Sequence, residues 1–239
     1  MAKLDLLFLG SGNAFGAEGR AFSSFLLNGR YLFDCGPTVL QQLHKADLTS
    51  DAVEAVFISH FHADHFFGLA FLLLAAKYGG RTRELTIVGP PGIEERTRRL
   101  LEIGYPGVVE SVGYARRYVE VADGDRHRFG ELDVTSARVE HVDEFECFAY
   151  RAETDGRSLV YSGDTTLCDG LLRLVEGADV VVTECSCNGV AVHLDPAGVE
   201  AVKRHASGAK VIVTHLDGVS HPNGFVGLIV AQDLARYSF

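Results

Sequence analysis

The chain has 239 residues, 47% of them hydrophobic and 23% charged, and a formal net charge of −10. This is an ordinary globular balance with enough chain for one substantial domain and a large core. The acidic excess argues against stable binding to long nucleic acid, yet it leaves room for a local phosphate site where bound cations reverse the sign.

The first apolar run, Leu4–Leu9, is broken by Asp5 and reads as a strand rather than as the core of an export signal. Ser24–Leu27 and Tyr31–Phe33 follow as strands between glycine-bearing turns, then a helix over Pro37–Lys45 with proline in its first turn. Val53–Ile58 is a strand leading to a polar cluster, and Phe66–Tyr78 a helix. Its apolar part, Phe66–Ala76, is about half of what a bilayer crossing needs, so no membrane span is expected. Leu85–Val88 is a strand stopped by Gly89-Pro90-Pro91-Gly92, and Ile93–Leu101 is helical.

The second half repeats the theme. Strands are expected at Tyr118–Val121, Leu132–Arg138, Phe145–Ala152 and Ser158–Tyr161, a helix at Leu171–Val175, a strand at Val180–Thr183, a helix at Pro196–His205 and a strand at Val211–Val213. Two runs of strands, each with its own helices, predict an α/β fold of four layers, an αββα sandwich. No linker, low-complexity stretch or short repeat divides the chain, so residues 1–239 read as one domain. Cys35, Cys147, Cys168, Cys185 and Cys187 are odd in number and contain no C-x-x-C pair, which favours a reduced, cytoplasmic setting over a disulfide framework.

Chemistry is concentrated in Ser59-His60-Phe61-His62-Ala63-Asp64-His65, where three histidines and an aspartate fall within six positions. On a strand ending at Ser59, His60 and His62 would project to one side, with Asp64 and His65 at the turn into the next helix. Imidazole and carboxylate are the donors a borderline ion such as zinc prefers, and manganese and iron accept them too. A solvated polar loop is the bland alternative. Three later residues end apolar strands with suitable donors: His141, Asp164 in Ser-Gly-Asp-Thr, and His215 in Val-Thr-His-Leu. Each alone reads equally well as a turn residue, but with the cluster they form a coherent set.

These motifs, from the opening Leu-Phe-Leu-Gly-Ser-Gly to His215, resemble the metallo-β-lactamase-fold hydrolase superfamily. The resemblance implies two divalent metal ions, zinc first and Mn2+ or Fe2+ as alternatives. One would be held by His60, His62 and His141, the other by Asp64, His65 and His215, with Asp164 bridging. Two such cations would lower the pKa of a shared water and bind an anionic substrate. Within the superfamily, Val-Thr-His-Leu is similar to ribonuclease Z and its phosphodiesterase relatives. That branch implies an acid residue and a histidine matched here by Glu184 and His193, the histidine assisting departure of the leaving group.

Each supporting residue also has a plainer reading. His193 precedes a helix for which Asp195 is an N-cap and Pro196 a first residue. Glu184 either orients His193 or caps a strand, and Asp34 either supports a metal-bound histidine or sits in an exposed turn. The basic run Arg96, Arg98 and Arg99 reads as a solvated helix face, and Gly10-Ser11-Gly12 as a plain turn rather than a phosphate cradle. His44, His127, His205 and His221 lack a ligand context. Ribonuclease Z proper carries a long arm gripping transfer RNA, one usual place for which lies between the third histidine and the bridging aspartate. Here the stretch 142–163 is filled by two strands.

The expected function is therefore phosphodiester hydrolysis in small or cyclic nucleotides or short RNA, with Asp64 orienting the attacking water and His193 as acid. The alternatives are a ribonuclease Z-type endonuclease, a carboxylic or sulfuric ester or lactone hydrolase, and a metal-containing binding protein without turnover. The partner is a small anionic substrate; a homodimer is compatible with the resemblance.

Overall fold

A computed structural model describes residues 3–108, 113–218 and 225–239. In its first half lie β1 (Asp5–Gly10), β2 (Ser24–Leu27), β3 (Tyr31–Phe33), α1 (Val39–Lys45), β4 (Ala55–Phe57), α2 (Ala63–Phe66), α3 (Gly68–Tyr78), β5 (Leu85–Gly89), α4 (Ile93–Gly104) and β6 (Arg116–Glu120). The second half holds β7 (Arg126–Phe129), β8 (Leu132–Val139), β9 (Cys147–Thr154), β10 (Arg157–Tyr161), α5 (Asp169–Val175), β11 (Val180–Glu184), α6 (Pro196–His205), β12 (Lys210–Thr214), β13 (Ile229–Val230) and β14 (Arg236–Ser238). Two seven-stranded sheets result, ordered β14-β1-β2-β3-β4-β5-β6 and β13-β12-β11-β10-β9-β8-β7.

Period-two alternation sorts each strand between two cores. Leu6, Phe8, Ala55 and Phe57 face the space between the sheets, where they meet Phe148, Tyr150, Tyr161 and Val182 of the second sheet. Leu7, Leu9, Val56 and Ile58 face a separate layer under α1 to α4, and Val181, Val211 and Val213 a third under α5 and α6. Strands covered on both faces carry continuous apolar runs, which is why they stand out in the sequence. The expected αββα sandwich is the observed architecture. Among the described residues no helix is long and apolar enough to cross a membrane.

The helix expected over Phe66–Tyr78 is instead two, because α3 begins hard against the loop after β3. A side chain at Gly68 would place its Cβ 2.0 Å from the Gly36 carbonyl oxygen. With that space open, the Gly68 amide donates to Cys35 O (2.8 Å), and the Cys35 amide donates to His65 O (2.7 Å). The loop carrying Asp34 is thereby clamped to the turn carrying His65.

The sheets are stitched together beside that loop. Tyr150 Oη on β9 donates to Ile58 O (2.7 Å), and the Phe148 amide to Ser59 O (2.9 Å). β3 pairs parallel with β4, and β10, β11 and β12 pair parallel in sequence. Their carboxyl ends and the end of β8 supply the functional residues, the usual place for a site in layered α/β folds.

Candidate metal centre

β4 ends at Phe57, so His60 and His62 do not alternate along a strand as expected; they come from the extended loop between β4 and α2. The loop nevertheless brings them together. His60 Nε2 and His141 Nε2 lie 3.0 and 3.1 Å from His62 Nδ1. His141, just past β8, donates from Nδ1 to Val192 O (2.8 Å), which turns its Nε2 inward. His60 Nδ1 bonds Ser59 Oγ (2.9 Å), whose own proton goes to Asp34 Oδ2 (2.8 Å).

A second group shares Asp164. Asp164 Oδ2 lies 3.2 Å from both His65 Nε2 and His215 Nε2, and Asp64 Oδ2 is also 3.2 Å from each of these nitrogens. The same Asp164 oxygen stands 3.9 Å from His60 Nε2 and from His141 Nε2. Backbone turns at strand ends set these positions. Gly163 has a φ of +58°, and a Cβ there would come 2.7 Å from that of Ser59. His215 itself holds a φ of +54°, a left-handed conformation uncommon for a residue with a side chain.

Asp34 is the anchor behind both groups. It is fully buried and accepts from the Ser59 amide (2.7 Å), Ser59 Oγ, His65 Nδ1 (2.6 Å) and Tyr161 Oη (2.6 Å). It is thus the supporting residue of the two readings the sequence left open, and it fixes His65 with Nε2 facing the centre.

Burial depresses the pKa of His60, His62 and His141, favouring the neutral imidazoles that bind cations. Burial pushes the Asp164 and Asp64 carboxyls up, but the neighbouring histidines outweigh it and hold both well below the usual carboxylate range.

A tetrahedral ion with nitrogen bonds of ~2.05 Å spaces its donors ~3.3 Å apart, close to the separations at His62. Donor atoms of His60, His62, His141 and Asp164 all lie within 4.8 Å of one another, as do those of Asp64, His65, Asp164 and His215. His65 Nε2 and Asp164 Oδ1 are buried without a hydrogen bond. Such orphaned polar atoms at the centre of a donor cluster are what a bound cation would satisfy. The residues present fit two ions.

His193 closes one side. Its Nδ1 donates to both carboxylate oxygens of buried Glu184 (2.9 and 2.8 Å) and stands 3.8 Å from Asp164 Oδ2. Burial lowers the imidazole pKa, but the bond to Glu184 and its charge prevail and raise it to about 8. Glu184 also accepts from the Thr165 amide (2.7 Å), so it ties His193 to the Asp164 loop. Asp195 does cap α6, accepting from the Gly198 amide, and so frees His193 from that duty.

The Ser11 amide is spent on Asp233 and the Gly12 amide on Ala21 O, so this turn offers no phosphate cradle. Arg98 and Arg99 pair along the exposed helix with Glu94 and Glu95, while Arg96 lies over the ring of Phe61. His221 lies outside the described residues. A cavity of about 240 Å³ opens onto the centre; Asp64, Asp164, His193 and His215 line it, together with Phe15 and Val190. Sequence reasoning missed the roles of Ser59, Tyr161 and Phe15, none of which is a usual metal-ligand residue type.

Residues 29–216 match the family model described as the beta-lactamase superfamily domain. Ribonuclease BN of Citrobacter koseri is 30% identical, over 88% of this chain and 75% of that protein. Ribonuclease BN of Escherichia coli O6:K15:H31 is 27% identical over 89% of each. The metallo-beta-lactamase fold protein YhfI from Bacillus subtilis superposes with a TM-score of 0.83 at 20% identity, covering 100% of both chains. The short form of human tRNase Z gives 0.79 at 24% identity over 98% of both, a likeness of fold. The chain belongs to the metallo-β-lactamase-fold hydrolase superfamily.

Proposed function

We propose that residues 1–239 act as a single dinuclear metal-dependent hydrolase domain that cleaves phosphodiesters in small or cyclic nucleotides or short RNA. The observation that carries the reading is Asp164 standing between two donor groups, with Glu184-bound His193 beside it. His60, His62 and His141 would hold one ion and Asp64, His65 and His215 the other, with Asp164 shared. Zinc suits the donors best, and Mn2+ or Fe2+ also fit. Bound there, two cations would supply a nucleophilic hydroxide near neutral pH and offset charge on a phosphate. Five free cysteines support a reduced, cytoplasmic setting.

The protein's own residues divide the remaining work. Asp64 lines the cavity and orients the attacking water. His193 spends Nδ1 on Glu184, so Nε2 is the atom at which a proton is carried to the leaving oxygen. Asp34, through His65 and Ser59, keeps both groups in register.

Cleavage of longer RNA is a second reading, supported by the kinship with ribonuclease BN. Against the use of a long arm, β9 and β10 are joined by the two-residue turn Asp155-Gly156, both with positive φ, as in a tight hairpin. The test is turnover of bis(p-nitrophenyl) phosphate against an aryl ester, a lactone and an RNA with an extended 3′ end. Phosphodiester turnover lost on chelation and regained with Zn2+ is expected. Turnover of the carbon esters alone would overturn the reading.

A further inference from the structure

We propose that Phe15 is a stacking platform for a planar ring, the residue that makes the site favour ring-bearing phosphate ligands over those without rings. The inference rests on the proposed phosphodiesterase reading of the same site. Phe15 is 86% exposed and yet lines the cavity that holds Asp64, Asp164, His193 and His215. An exposed phenylalanine is ordinary when it lies anywhere on a surface. Here its position is built.

The loop that carries it is tied to the centre from below. The Phe15 amide donates to Asn13 Oδ1 (3.1 Å), the Gly16 amide to Asn13 O (3.0 Å), and the Asn13 amide to Leu216 O (3.3 Å), next to His215. Gly12 also bridges Leu216. The backbone that carries the ring is therefore registered to a candidate ligand rather than hung on a free loop. Val190, 44% exposed, lines the same cavity from the loop after β11, so apolar groups reach it from both sheets. The cavity floor is charged and its mouth partly apolar. That division suits a ligand with a phosphate at one end and a flat ring at the other, and stacking on an aromatic face tolerates any base.

The test compares binding of adenosine 5′-monophosphate and ribose 5-phosphate to the Zn2+-loaded protein by calorimetry, with turnover of a dinucleoside monophosphate in parallel. The expected result is that the wild type favours the ring-bearing ligand by about tenfold or more. Phe15→Ala brings that ratio to about one, and Phe15→Trp keeps it. Absence of any preference in the wild type, or a preference untouched by Phe15→Ala, overturns the platform. A Phe15-dependent preference without phosphodiester turnover upholds the platform while the phosphodiesterase reading falls. Turnover with no ring preference does the reverse.

Discussion

At His193 a helix-entry residue and a proton carrier compete as readings, and the neighbours separate them. Asp195 takes the capping duty, and both Glu184 oxygens hold His193 Nδ1. His193→Ala is expected to slow cleavage of a dinucleoside monophosphate, whose leaving alkoxide needs a proton, by about 100-fold or more. A p-nitrophenyl ester, with a stable leaving anion, should lose far less, and metal content by mass spectrometry should stay unchanged. Equal losses on both substrates would remove His193 from leaving-group protonation. Asp34 carries a different load, since four donors converge on a carboxylate without solvent. Asp34→Asn replaces one acceptor oxygen with a donor group, so urea unfolding of the metal-free protein should lose about 3 kcal/mol. Zinc affinity should weaken by about 10- to 100-fold. A cost under about 1 kcal/mol would show that Asp34 is dispensable. The donors themselves were legible because residue chemistry alone marks them. The support was legible only in part: Asp34 is an acidic residue at a strand end, whereas Tyr161 meets it from 127 positions away and reads as core.

Among elements, the strands nearest the centre are pinned by an aromatic column. Phe33 stacks on Phe25 and on Phe57, centroids 4.9 Å apart in both cases, and Tyr150 and Tyr161 meet it edge-on from the other sheet. Phe33→Ala should cost about 3–5 kcal/mol in denaturant unfolding, because the four surrounding rings cannot all collapse into the gap. A loss below about 1.5 kcal/mol would mean that the sheets are held chiefly elsewhere. β7, β13 and β14 went unread in the sequence, and all three are sheet edges. An edge strand keeps one row of backbone groups unpaired and tolerates charges, as in Arg-His-Arg-Phe of β7, where no apolar run betrays it, while β13 is only the two residues Ile229–Val230. The split between α2 and α3 was equally hidden, since only the folded chain shows the Gly36 carbonyl that Gly68 must clear.

Over the whole molecule, the acidic balance and the centre are complementary. Buried carboxylates and imidazoles from both sheets converge where cations would draw them together, while the chain as a whole carries a net charge of −10. The sandwich was readable as a layered order because fully covered strands are continuously apolar; the convergence of His60, Asp164 and His215 depends on how two sheets close, which no local pattern encodes. Metal content measured after Zn2+ reconstitution and dialysis tests whether two ions share Asp164. About two ions per wild-type chain are expected, with loss of at least one in Asp164→Ala and the far-ultraviolet spectrum unchanged. A wild-type chain that retains none, or an Asp164→Ala chain that still holds two, would contradict it.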